Sequence, residues 1–503
     1  MADVQTRTTD DRGVAFPVDP EGKRSTTATA RDVLSEAAGA VDRPLAQAIR
    51  DESDWRSRYG VHLRALVAAE VRSGGAVEVA RTGLDAVHRR FEFERDGARR
   101  LLTDAVRDDA GRSPAPSTHT IVGEDPQHVP TLSVPYRGQQ LSGDALRRQL
   151  EDWVAGGIVE PSFADAIRAV MARPDWLDLS DVTVAVVGAG AEMGPLEALC
   201  GWRANVLAVD LPQATGRIEA LARAGNATVH LPRLGPPADD GAPAAGADVT
   251  TATPELAAWL AAVDGPLVVG TYAYADGADH VRLSVAADAL IDHLLEVRDE
   301  VSLAVLLTPT DVYAVPSTLV DQVRASALAR RTPVHERLAR QVSGGRLYRP
   351  SYAEVVACPD GTRFGLADSQ VAQQGPNYAL AKRLQRWRAL AARADGVRSS
   401  VNVAPATSTR SVTSNRMLAA AYAGAGRFGV EVFEPATSRA LMAALLVHDL
   451  RQDGASADPA ATLRDPLELF SETAAHGGLW RTPWTPPSVL GLAAASGLAR
   501  RGG

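Results

Sequence analysis

The stretch Val182-Thr-Val-Ala-Val-Val187 constrains this chain more than any other. It is a continuous β-branched and alanine run, followed at once by glycines and then by residues of helical periodicity. A strand with no polar alternation has to be covered on both faces, as strands of a parallel sheet are. The alternation recurs, with strands expected at 205–209, 266–269 and 301–307, a helix at 279–298, and a helix opening near 374 that leads into a strand after 397. Strands separated by helices of roughly 10–20 residues predict an α/β fold built on a doubly wound parallel sheet.

A chain of 503 residues is too long for one core, so more than one unit is expected. Residues 1–30 are polar and rich in Thr, Asp and Arg, and disorder is expected there. Residues 31–180 read as mainly helical: Leu34, Ala37, Ala38 and Val41, then Leu63, Leu66, Val67 and Val71, recur at helical spacing. A loop is expected over 113–126, a short strand at 131–136, and helices at 142–156 and 162–173. The doubly wound unit is expected over 181–453, with an Ala/Gly/Pro loop at 235–246 and an insertion at about 330–374. The extension 454–503 reads as loop-rich, and its apolar stretch 489–498 is expected to dock on the main unit rather than on a membrane surface.

Composition excludes several functions. The net charge is -8 and there is no long basic run, which argues against nucleic-acid binding. Two cysteines, Cys200 and Cys358, cannot build a disulfide framework, and Cys200 is expected as a buried thiol. No run approaches the ~18 apolar residues of a membrane span, and the opening MADVQTRTTDDRG lacks a basic-then-apolar signal. A cytoplasmic protein with a small-molecule substrate is the expectation, the N-terminal helices and the insertion shaping either its pocket or a homo-oligomer interface. No His, Cys, Asp and Glu set has metal-ligand spacing, and no G-x-S-x-G elbow occurs.

Gly188, Gly190 and Gly194 stand between the first strand and a helix, spaced G-x-G-x-x-x-G. Glycines there let the backbone approach a pyrophosphate, and the N–H groups of a following helix stabilise its charge. The next strand, Val206-Leu-Ala-Val-Asp210, ends in a carboxylate 22 residues beyond Gly188, near the ~20 expected of an acid on a ribose diol. A carboxylate repels a 2′-phosphate, which favours NAD over NADP. The same layout suits S-adenosylmethionine, so the loop alone leaves hydride transfer and methyl transfer both open.

Further on stands Gln374-Gly-Pro-Asn-Tyr378-Ala-Leu-Ala-Lys382. Tyr378 and Lys382, four apart, share a helix face, and a nearby ammonium lowers a phenol's pKa from its usual ~10. With the turn Asn402-Val-Ala-Pro405-Ala406 after the next strand, the chain resembles the short-chain dehydrogenase/reductase family over about 270 of its 503 residues. The resemblance implies a Rossmann-like, NAD(P)-dependent oxidoreductase acting on an alcohol or carbonyl. Tyr378 would be the general acid/base, Lys382 would tune it and hold the nicotinamide ribose, and Thr308 or Thr310 would polarise the substrate oxygen. Gly188, Gly190 and Gly194 would cradle the pyrophosphate, Asp210 the ribose and Asp248, in Asp248-Val249-Thr250, the adenine. The chain departs from the family in having Glu192 at the middle glycine, Val269-Gly270-Thr271-Tyr272 for the Asn-Asn-Ala-Gly segment, and no Asn on the helix 279–298. The alternatives are an S-adenosylmethionine-dependent methyltransferase, a non-catalytic NAD-binding protein, and a lyase or isomerase that keeps NAD bound. Tyr272, Tyr274, Asp276 and His280 cluster after a strand's carboxyl end, where ligands collect. His476 and Trp480 are expected to be structural rather than to reach over the site.

Overall fold

The computed structural model describes residues 12–112, 115–234, 245–330, 332–371 and 373–501. Its centre is a seven-stranded sheet. Six strands are parallel: β1 (Thr183–Val187), β2 (Asn205–Val209), β3 (Thr228–Arg233), β4 (Leu267–Thr271), β5 (Val301–Leu307) and β6 (Ser399–Val403). Their spatial order is β6-β5-β4-β1-β2-β3, and Ser117–Val122 closes the β3 edge in antiparallel register. The chain therefore winds outward from β1 to β3, returns to β4, and winds the other way. The reversal falls between β1 and β4, and a crevice opens at the carboxyl ends of strands at such a point.

The two-sided apolar character of the strands follows from this layering. Ala185, Val187, Leu207, Val209, Val269, Leu303 and Val305 point into one layer, with helix Thr253–Ala261, α1 (Ala278–Val297) and α2 (Gly375–Ala394). Val184, Val186, Val206, Ala208, Val268, Ala304 and Leu306 point into the other, with helices Leu196–Cys200, Thr215–Arg223 and Pro435–Arg451. Each fully buried Val or Leu contributes about 1.5–3 kcal/mol, gathered on both faces of β1, β2, β4 and β5.

The N-terminal expectations need correction. Residues 1–11 lie outside the described residues, but 12–30 are structured: Gly13–Ala15 pairs with Glu92–Arg95, and helix Thr26–Gly39 starts at a Ser25 cap. Val14 and Phe16 are buried and anchor an otherwise polar stretch. The region 31–180 divides between the layers. Helices Arg43–Arg50, Trp55–Ser73 and Ala76–His88 pack on the α1 and α2 side, whereas Gly143–Ala155 and Pro161–Ala172 pack on the opposite side. The expected loop 113–126 contains the edge strand Ser117–Val122, whose only buried residue is Ile121, so no apolar alternation marked it.

Residues 235–244 of the Ala/Gly/Pro loop lie outside the described residues. The expected insertion holds a helix, Val334–Val342, and the strands Val355–Ala357 and Arg363–Asp368, and the small antiparallel sheet they form is completed by Val312–Pro316, ahead of the helix Ser317–Ala329. After loops to 485, the tail forms a helix against α3 (Arg416–Gly424), so the extension is not all loop; this helix is α4 (Pro486–Arg501). Among the described residues, no helix is long and apolar enough to cross a membrane.

Candidate functional site

A cleft of about 1290 Å³ runs along the carboxyl ends of the parallel strands, where the winding reverses. Gly188 follows β1 with φ +87°, and a Cβ on it would lie 2.4 Å from the backbone of Ala273. Only glycine fits both demands. The Gly190 N–H donates to Asp210 Oδ2 at 2.7 Å, and the Leu211 N–H donates to Oδ1 at 2.7 Å. Asp210, half-buried at the tip of β2, is thereby fixed in orientation beside the loop.

The rest of the loop is mostly self-satisfied. Gly188 and Ala189 donate to Val209 O, Ala191 donates to Gly188 O, and Gly194 donates to Ala191 O. Among the described residues the N–H groups of Glu192 and Met193 have no acceptor, and both residues line the cleft. The expected helix N-terminus is displaced. Successive turns consume the loop, and the helix starts only at Leu196 and runs five residues. Gly194 does not line the cleft, and a Cβ there would meet nothing nearer than 3.4 Å. Any anion here would therefore face turn N–H groups rather than a helix dipole.

Asp248 lies beside Asp210, because the Ala247 N–H donates to Asp210 O at 2.7 Å. Its Oδ1 accepts from the N–H and hydroxyl of Thr250, both at 2.8 Å. Across the cleft, Thr308 and Thr310 follow β5 with their hydroxyls 2.7 Å apart, and the Gln374 amide donates to Thr310 Oγ1.

Tyr378 and Lys382 both line the cleft from α2. The expected lowering of the phenol by the ammonium is not what the geometry gives. Burial pushes Tyr378 up to about 12, with a nearby Thr308 hydroxyl offsetting part of the rise. Lys382 spends its donors elsewhere, on Leu306 O at 3.3 Å and Gln385 Oε1 at 3.0 Å. Burial brings its pKa down to about 8. His280 stacks on Tyr378, with ring centroids 5.4 Å apart, and burial, aided by Lys382, holds it near 3 and neutral. Since Ala275 N–H donates to His280 Nδ1, the proton sits on Nε2, a buried donor with no partner among the described residues.

No known family, curated protein or solved structure matches this chain. The chemistry rests on the site's own atoms.

Sequence reasoning missed what fixes α2. Asp311, immediately after Thr310, is buried and accepts from Arg386 at 2.8 Å and Arg383 at 3.2 Å. Burial pushes this carboxyl up, but the two guanidiniums outweigh it and hold it below its ordinary value. Arg386 also lies 4.6 Å from the ring centres of Tyr313 and Phe470. The ion trio pins the strand end bearing Thr308 and Thr310 to the helix bearing Tyr378. The signal was available, as Arg383 and Arg386, three apart, share a face of the same helix as Tyr378. The cleft's far wall, Arg410, Leu418, Tyr422 and Leu490, comes from segments with no motif at all. Tyr272, Tyr274 and Asp276 line the cleft, and the Tyr274 hydroxyl donates to Asp276 at 2.7 Å. His476 stays away from it, buried against Trp480 and 2.9 Å from Glu160. Cys200 is buried in helix Leu196–Cys200, its thiol pushed up to about 12 by burial.

Proposed function

We propose that the chain is an NAD(P)-dependent oxidoreductase of Rossmann-like fold, similar to the short-chain dehydrogenases/reductases, acting on an alcohol or carbonyl of a small organic substrate. One observation carries the reading: the glycine turn of β1, the carboxylate at the tip of β2, and the Tyr378–Lys382 face of α2 open on one cleft at the sheet reversal. The six parallel strands run in the 3-2-1-4-5-6 order of dinucleotide-binding sheets.

The residues present fit such a cofactor. The free N–H groups of Glu192 and Met193 suit a pyrophosphate, and Asp210 retains lone pairs for ribose hydroxyls while repelling a 2′-phosphate, so NAD is favoured. The cleft's 1290 Å³ exceeds the ~300–1,000 Å³ of a pocket for one small ligand, leaving room for substrate. When bound, the nicotinamide would supply or accept the hydride. Thr308 and Thr310 would hold the substrate oxygen. Tyr378, protonated at neutral pH, would donate to that oxygen, and Lys382 would place a positive charge behind it.

Thermal unfolding with NAD+, NADH, NADP+ and S-adenosylmethionine, on wild type and Asp210→Ala, tests the reading. A ligand at 100 times its Kd adds about 2.7 kcal/mol. NAD(H) should raise the midpoint of wild type alone, and more than NADP+ does. Protection by S-adenosylmethionine alone would sink the proposal, and protection by NAD without turnover of any carbonyl compound would sink its catalytic half.

A further inference from the structure

A second cleft, of about 530 Å³, lies on the other side of residues 369–371, between helix Trp55–Ser73, the insertion sheet and the tail. Its floor is apolar: Tyr59, Tyr352, Leu366 and Ala367 line it and are buried. Its rim carries Arg56, Arg64 and Arg349. Arg64 is loosely engaged, 3.8 Å from Asp368 and 4.0 Å from Glu354. Arg56 and Arg349 are exposed and form no ion pair among the described residues; the Arg349 Nε donates only to Thr485 Oγ1, at 3.3 Å. On a chain of net charge -8, three guanidiniums against one lining carboxylate mark a local reversal of sign.

We propose that this second cleft binds a small organic anion, an apolar chain ending in a carboxylate, with Arg56 and Arg349 taking up the charge and the tyrosine-lined floor holding the chain. Guanidinium groups match a carboxylate in planar, two-point hydrogen bonding, which an ammonium cannot do. The volume lies in the range of small-ligand sites, and an apolar lining with a few placed polar groups is their usual make-up. The site is also wired to the first cleft. Val371 lines both. The Tyr59 hydroxyl lies close enough to the backbone of Gly375, the first residue of α2 and three before Tyr378, for that backbone to offset part of the rise that burial gives its pKa. An occupant would thus press on the segment whose Gln374 holds Thr310. None of this depends on NAD binding.

Isothermal titration of the full chain with octanoate and, separately, with inorganic phosphate tests the assignment. Octanoate should bind wild type and Tyr378→Phe alike, and phosphate should bind at least tenfold more weakly because it leaves the floor uncovered. Arg56→Ala/Arg349→Ala should weaken octanoate by about tenfold or more, the loss expected on removing charge-assisted hydrogen bonds. Should the double variant lose its circular dichroism, the exposed single change Arg56→Glu replaces it with the same expectation. The proposal falls if wild type fails to bind octanoate, if the arginine variants bind it unchanged, if phosphate binds equally well, or if Tyr378→Phe abolishes binding.

Discussion

Replacing Asp311 by Asn should unfasten α2 from the end of β5. The change is nearly isosteric, so packing is kept and only charge is lost. Arg383 and Arg386 are each 1% exposed and Asp311 5%, so the two cations would be left in the interior without their anion. Glu70, buried nearby, cannot substitute, because burial raises its pKa and opposes its ionisation. Breaking a buried ion pair from one side costs about 3–5 kcal/mol. At about 2–4 °C per kcal/mol for units of 150–250 residues, the thermal midpoint should fall by about 6–20 °C. Circular dichroism melts give this number directly. A companion variant, Asp311→Leu/Arg383→Met/Arg386→Met, removes all three charges and should recover most of the loss, since a well-packed apolar trio costs no uncompensated desolvation. An Asp311→Asn midpoint within 2 °C of wild type, a threshold set at roughly one-third of the smallest expected shift, would refute the argument that these charges depend on one another.

Gly188→Ala should destabilise by about 2–5 kcal/mol, from a left-handed φ and overpacking against Ala273, whereas Gly194→Ala should be near neutral; paired thermal melts separate the two. Tyr378→Phe should lower kcat by about 10²–10⁴-fold while the midpoint shift given by NAD is retained, and unchanged turnover would remove Tyr378 from proton transfer. His88 contributes stability that depends on pH. Burial pushes its pKa down, but the hydrogen bond to Asp288 at 2.7 Å and the charges of Asp288 and Asp292 leave it raised. That stability is fully present below the unfolded value of ~6.5 and fades as pH climbs through the folded value. Wild type should thus lose stability on the alkaline side relative to His88→Gln, and parallel pH profiles would contradict the linkage.

What the sequence made legible were features carried by short, local patterns. The two-faced strands read as apolar runs, Gly188 stood where a left-handed turn was needed, and Asp210, Thr308, Tyr378 and Lys382 converge on one cleft from separate segments. Ser117–Val122 was hidden because an edge strand with one buried residue has no apolar signature. Lys382 was misjudged for a different reason. Helical spacing fixes where a side chain starts, but Leu306 O and Gln385, which capture its ammonium, are set by tertiary packing. The second cleft was equally invisible, since its arginines come from positions 56, 64 and 349, and only folding brings them to one rim.

The way the first 110 residues lean on α1 and α2 has a consequence for biogenesis. His88 meets Asp288 across 200 residues of chain, and a Cβ on Gly83 would strike the ring of Trp387, so close is that later helix. A ribosome adding about 5–20 residues per second needs about 10–40 s to make the 200 residues between His88 and its partner. Throughout that interval the apolar faces of the early helices have neither α1 nor α2 to lie on. The nascent chain therefore spends its synthesis as an aggregation-prone intermediate, and fragments ending before α2 should be insoluble unless a chaperone shields them.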